Sequence, residues 1–134
     1  MDKKKLLLVE DDLFLRDLYN ETLLTAGYAV DLAVNGQEAY DKIKAGGYDL
    51  VLLDIVLPIM DGIQVMEKLK EEQVQLTNKC LVFLTNLDNE ADIKKALDLG
   101  NGYIIKSQIT PADLLNEVKN YLANLNQPQK QHLA

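Results

Sequence analysis

Residues 48–54 read YDLVLLD. Four apolar residues, Leu50 to Leu53, run without a break into a lone carboxylate, Asp54. The run is too short for a helix and shows no polar–apolar alternation. It therefore predicts a short strand that is apolar on both faces. Such strands sit in parallel sheets whose two sides are covered by helices. The flanking sequence shows whether such a sheet can be built.

On the upstream side, "KLLLV" at 5–9 is a second short apolar run, bounded by charge, and "YAVDLA" at 28–33 a third. Further along, "CLVFLT" at 80–85 and "GYIIK" at 102–106 complete a set of five predicted strands. Helical patterns lie between them. Leu15, Leu18, Tyr19, Thr22, Leu23 and Ala26 recur at helical spacing, with Asp12 as a cap and Gly27 as a stop. Asn35 with Glu38 three residues on has the form of a capping box, opening a helix through Ala39, Tyr40 and Ile43 that Gly46 and Gly47 close. "DGIQVMEKLKEE" predicts a third helix, with Ile63, Met66 and Leu69 on its inner stripe, and "NEADIKKALDLG" a fourth, ended by Gly100. "TPADLLNEVKNYL" predicts the fifth: Thr110 caps, Pro111 takes the first helical position and Asp113 the third.

Strand and helix alternate five times, which predicts an α/β fold with a doubly wound, five-stranded parallel sheet. Right-handed crossovers leave few topologies for it. The predicted domain runs over 1–125, and the polar, proline-interrupted stretch "NQPQKQHLA" at 126–134 reads as a tail or linker. His132, the only histidine, falls in that tail, so a catalytic or metal role is not expected of it.

Composition narrows the function. With 134 residues, the chain can bury roughly two-thirds of the surface it exposes when unfolded, enough for one core. A net charge of −7 and a pI near 4.6 argue against binding nucleic acid through phosphate contacts. No apolar run approaches the roughly 20 residues that span a bilayer. The apolar run near the start is short and ends in acids, unlike a signal peptide. The single cysteine, Cys80, leaves no internal disulfide and fits a reducing cytoplasm, and its place in an apolar run makes it a small buried hydrophobe rather than a reactive thiol.

Ligands of doubly wound sheets sit beyond the carboxyl ends of the strands, where strand order reverses. Glu10 and Asp11 follow the first strand, Asp54 ends the third, Thr85 the fourth and Lys106 the fifth. Each alone has a plain reading: a helix start rich in acid, a cap, a strand end, a surface charge. Together they bring four polar strand ends to one rim. If the first and third strands are neighbours, three carboxylates converge, at a cost unless a cation joins them. Oxygen donors of this kind suit Mg²⁺, which keeps waters and shares carboxylates with phosphate oxygens. Lys106 adds a positive charge opposite. The rim reads as a site for a phosphoryl group and its metal.

At these residues the sequence resembles the receiver domains of two-component response regulators. "LLLVEDD" is similar to that family's acidic pair, and "LVLLDIVLPIMDG" to its phosphoacceptor stretch, including Pro58, Met60, Asp61 and Gly62. Thr85, Lys106 and the run "LGNGYIIKS" match in turn, which puts Tyr103 at an aromatic switch position. The resemblance covers residues 4 to about 125. It implies the flavodoxin-like strand order 2-1-3-4-5. It implies a phosphoacceptor signalling domain rather than an enzyme, one that assists its own phosphotransfer and dephosphorylation. Asp54 is then the nucleophile toward a phosphohistidine on a sensor kinase or phosphotransfer protein. Mg²⁺ is held by Glu10 (through water in one arrangement), Asp11, Asp54 and the backbone carbonyl of Val56. Lys106 pairs with Asp54 and then with the phosphoryl group, Thr85 moves to hydrogen-bond it, and Tyr103 turns inward. The surface of the fourth helix, fifth strand and fifth helix would then receive an effector or a second copy of the chain.

Two positions depart from the family pattern. Ser107 stands where proline is usual after the lysine, so the bond before it is expected to be trans, because cis before a residue other than proline costs about 2.5–4 kcal/mol. Asn86 follows Thr85 where a smaller residue is common, and it stands where it could slow or assist hydrolytic water. Three other classes compete. A haloacid-dehalogenase-type enzyme would need a second Asp where Val56 stands, and a flavin carrier would need a phosphate loop in place of "EDD". A pseudo-receiver that only binds partners is opposed by the intact acidic, Thr and Lys set. No effector-domain sequence follows the fifth predicted helix, as expected either of a single-domain regulator or of a piece of a longer chain.

Overall fold

The computed structural model describes residues 3–86 and 90–125. Strand β1 (Lys5–Val9) leads into helix α1 (Leu13–Thr25), followed by β2 (Ala29–Ala33), α2 (Gly36–Ala45), β3 (Leu50–Asp54) and α3 (Gly62–Glu71). β4 (Leu81–Thr85), α4 (Glu90–Leu99), β5 (Gly102–Ile105), a 3-10 turn (Lys106–Gln108) and α5 (Pro111–Ala123) complete it. All neighbouring strands pair in parallel, in the order β2-β1-β3-β4-β5. This is the doubly wound, flavodoxin-like arrangement expected from the sequence, with the reversal of order between β1 and β3. The tail at 126–134 and His132 lie outside the described residues.

The strands are apolar on both faces because each face meets helices. Leu6, Leu8, Leu50, Leu52, Val82 and Leu84 point toward α1 and α5, against Tyr19, Leu23, Leu114 and Val118. Their alternates, among them Leu7, Val9, Val51, Leu53 and Phe83, point toward α2, α3 and α4. Cys80 is buried in the first of these clusters, and burial pushes its thiol up to about 11, which leaves it unreactive as expected.

Local chemistry sets the helix starts. The side chains of Asp12, Asn35, Asp61 and Thr110 each accept a hydrogen bond from the third helical N–H. Asp61 with Gln64 and Thr110 with Asp113 close reciprocal capping boxes. At α2 the reciprocal bond slides by one residue. Asn35 is nearly fully extended, and Glu38 accepts from the N–H of Val34 instead of that of Asn35. Lys106, expected as the last residue of the fifth strand, instead opens the 3-10 turn.

Candidate functional site

Register brings the rim together. Leu8 pairs with Leu52 and Val9 with Leu53, so the next step along both strands sets Glu10 beside Asp54. Side chains alternate along a strand. Glu10 therefore follows Leu6 and Leu8, and Asp54 follows Leu50 and Leu52, toward the α1–α5 side. Lys106 stands two residues after Ile104, which belongs to the same side. Its ammonium group reaches back past the end of β4, to Oδ2 of Asp54 at 2.7 Å and Oε1 of Glu10 at 2.9 Å. The Lys106–Ser107 bond is trans, as expected.

Among the described residues the buried polar side chains are Glu10, Asp54 and Thr85, at 1%, 2% and 2% exposure. All three lie at this one rim. Burial pushes the Asp54 carboxyl up to about 7; the Lys106 hydrogen bond opposes the rise and the Glu10 charge adds to it. Burial works against the charge of Lys106, but its bonds to Asp54 and Glu10 outweigh that and raise its pKa. The exposed Asp11 completes the cluster: one carboxylate oxygen from each of Glu10, Asp11 and Asp54 lies within 4.8 Å of the others. Three hard oxygen donors at that spacing fit a Mg²⁺ ion. Asp12 does not join them, because its carboxylate caps α1 at Leu15 N–H, 2.9 Å away. The acidic run is thus divided between a site and a cap.

The loop after β3 is held against the site. Gly62 N–H donates to Ile55 C=O at 2.8 Å, and a Cβ on Gly62 would stand 2.3 Å from the carbonyl oxygen of Asp54. Only glycine lets α3 begin this close to the backbone of Asp54. Val56, two residues after Asp54, is exposed. Thr85 ends β4, Asn86 stands exposed after it, and Ser107 is exposed in the 3-10 turn. Tyr103 is half-buried against the α2–α4 cluster. It pairs with Phe83, and by alternation it shares a sheet face with Thr85.

Two residues near the rim escape the sequence reading. Arg16 donates from Nη1 to the carbonyl oxygens of Glu10 at 3.2 Å and Asp11 at 3.3 Å. Its place in the second turn, with helical side chains slanting toward the N-terminus, was the available signal. Tyr19 is buried beneath the site. Burial raises its pKa, and the charges of Lys106, Glu10 and Asp54 act on it too. It carried only the signature of a core position.

The switch point of this doubly wound sheet thus carries two buried carboxylates bridged by a lysine, beside a third, exposed carboxylate. Comparison with known proteins makes this specific. Residues 6–119 match the response regulator receiver domain family. The chemotaxis protein CheY of Halobacterium salinarum is 36% identical over 118 residues, spanning 86% of this chain and 96% of that protein. The transcriptional regulatory protein CrdR of Helicobacter pylori is 31% identical over 119 residues, 89% of this chain and 55% of that one. The crystal structure of a CheY-like receiver domain protein from Methanospirillum hungatei superposes with a TM-score of 0.81 at 28% identity, covering 94% of this chain and 98% of that one. The chain belongs to the response regulator receiver domain family of two-component signalling. It spans about half the length of several transcriptional regulators it matches. No helix among the described residues is long and apolar enough to cross a membrane.

Proposed function

We propose that Asp54 accepts a phosphoryl group from a phosphohistidine of a sensor kinase or phosphotransfer protein, with Mg²⁺ at the acidic cluster. The observation that carries this reading is the Lys106 ammonium bridging two buried carboxylates beside a third, exposed one. A carboxylate oxygen of Asp54 attacks phosphorus, the O–P bond forms, and the P–N bond breaks with the imidazole as leaving group. Bound Mg²⁺ would supply positive charge that favours ionised Asp54 and neutralises the phosphoryl oxygens. Asp11 and Asp54 would hold it, with the Val56 carbonyl. Both oxygens of Glu10 already accept hydrogen bonds, from Lys106 and from Asp12 N–H, which supports a water-bridged place for Glu10.

Lys106 orients Asp54 before transfer and holds a phosphoryl oxygen after it. Thr85 takes another. Tyr103, on the same sheet face, follows into the space that Thr85 leaves. That movement changes the face of α4, β5 and α5; on its β5 and α5 part a 440 Å³ groove is lined by Tyr103, Gln108, Ile109, Glu117 and Tyr121 among others. A downstream effector or a second copy of the chain docks there. Asn86 and Ser107, both exposed at the mouth, tune the lifetime of the phosphoryl bond. The test is labelling by a small phosphodonor. Wild type should be labelled only with Mg²⁺, and Asp54→Asn not at all. Absence of labelling in wild type would instead favour a receiver-shaped domain that only binds partners.

A further inference from the structure

The loop from Glu10 to Asp12 is only three residues long, yet it carries the acidic pair. Its ties are unequal. Glu10 is fixed through its own side chain by Lys106. Asp12 is fixed by its cap on α1. Asp11 is exposed, and the tie found on it is to its backbone, from Arg16. One guanidinium nitrogen spans two successive carbonyls, those of Glu10 and Asp11. No carboxylate lies within 4.0 Å of that guanidinium among the described residues, so Arg16 is not held there by an ion pair. Its hydrogen bonds are spent on the loop.

We infer that Arg16 is a positioning residue for the divalent-cation site, acting through the backbone of Glu10 and Asp11. This rests on the reading of the rim as a Mg²⁺ and phosphoryl site. The two physical roles open to Arg16 have opposite signs. As a charge it repels the cation, so its loss would tighten binding. As a clamp it fixes where Asp11 projects, so its loss would loosen binding. The clamp dominates: Arg16 faces carbonyl oxygens, half in solvent that screens its charge, whereas displacement of Asp11 removes a ligand oxygen outright. Groups that orient metal ligands in this way are worth about 10–100-fold in affinity.

The test is Mg²⁺ titration calorimetry on the full chain, wild type against Arg16→Met and Arg16→Lys. Arg16→Met keeps the aliphatic stem on α1 but removes the donors and the charge. It should bind Mg²⁺ about tenfold more weakly. Arg16→Lys, which keeps a donor and the charge, should recover most of that loss. In phosphodonor labelling, Arg16→Met should need correspondingly more Mg²⁺ for half-maximal rate, with the rate at saturating Mg²⁺ largely retained. Arg16→Gln serves if the Met variant does not fold, and its shorter side chain should give the same direction. Equal or tighter Mg²⁺ binding in the Met or Gln variant would overturn the inference while leaving the site reading intact. Absence of both Mg²⁺ binding and labelling in wild type would remove the site reading, and this inference with it.

Discussion

At the tip of the loop after β3, Ile59 holds φ at +74° and is 77% exposed. It is the middle residue of a γ-turn closed by Met60 N–H onto Pro58 C=O at 2.8 Å. A β-branched residue is strained there, by about 1–2 kcal/mol for left-handed backbone. Glycine would relieve the strain but costs about 0.5–1 kcal/mol in chain entropy. Ile59→Gly should therefore raise stability by roughly 0.5–1 kcal/mol in urea unfolding; an equal or lower stability would show the turn to be unstrained. This loop and the rim beside it show what a sequence reveals at this scale. Asp54, Thr85 and Lys106 were legible because each closes a short apolar run, and the buried polar set at the rim follows from that. Arg16 and Ile59 were not, because a guanidinium on two carbonyls and a positive φ depend on the exact path of a loop. The place of Tyr19 beneath the rim was hidden for a different reason: a buried aromatic at helical spacing looks the same under a site as elsewhere in a core.

Helix ends give the clearest contrast at the scale of elements. α1 finishes with paired bonds from Gly27 N–H to Leu24 C=O and from Tyr28 N–H to Leu23 C=O, with Gly27 at φ +99°. α3 finishes in the same pattern, Gln73 N–H to Lys70 C=O and Val74 N–H to Leu69 C=O, but the left-handed position is Gln73 at φ +55°. Glycine is the usual occupant of this position because it lacks the Cβ that strains the backbone there. Gln73→Gly should stabilise the protein by about 0.5–1 kcal/mol in chemical denaturation, and a destabilised variant would contradict this account of the α3 end. The sequence marked the end of α1 by its glycine and offered no such mark for α3. Starts were more legible, since a cap is a property of residue type at fixed spacing. The slide of the Glu38 bond to Val34 marks the limit of that rule.

Across the whole molecule, the order of elements was readable because apolar runs of about five residues alternate with helical stripes, and parallel pairing then follows from burial on both faces. The position of each strand in the sheet came with the family resemblance, since alternation alone leaves several orders open. The sheet edge is secured by a charged hub. Asp31 on β2 accepts from Lys42 Nζ at 2.8 Å and from the Tyr48 hydroxyl at 2.6 Å, joining the edge strand to α2 and to the start of β3. Burial disfavours its charge, but the bonds from Lys42 and Tyr48 outweigh this and hold its pKa below the usual carboxylate value. The unfolded chain thus takes up this proton at higher pH than the native one does. The hub's contribution is complete above the unfolded pKa, near 4, and is lost as pH falls through the lower folded value. Asp31→Asn should flatten the acid limb of the stability curve below about pH 4, by no more than about 1 kcal/mol for so exposed a pair. An unchanged acid limb would show that the hub is electrostatically idle.

The central claim concerns one carboxylate, and chemistry can locate it. After reaction with a small phosphodonor and Mg²⁺, hydride reduction of the acyl phosphate converts the modified aspartate to the corresponding alcohol, which peptide mass mapping then assigns. The account predicts conversion at Asp54 alone, dependent on Mg²⁺. Conversion at Glu10, Asp11 or any other carboxylate in place of Asp54, or equal conversion in the presence of a chelator, would contradict it.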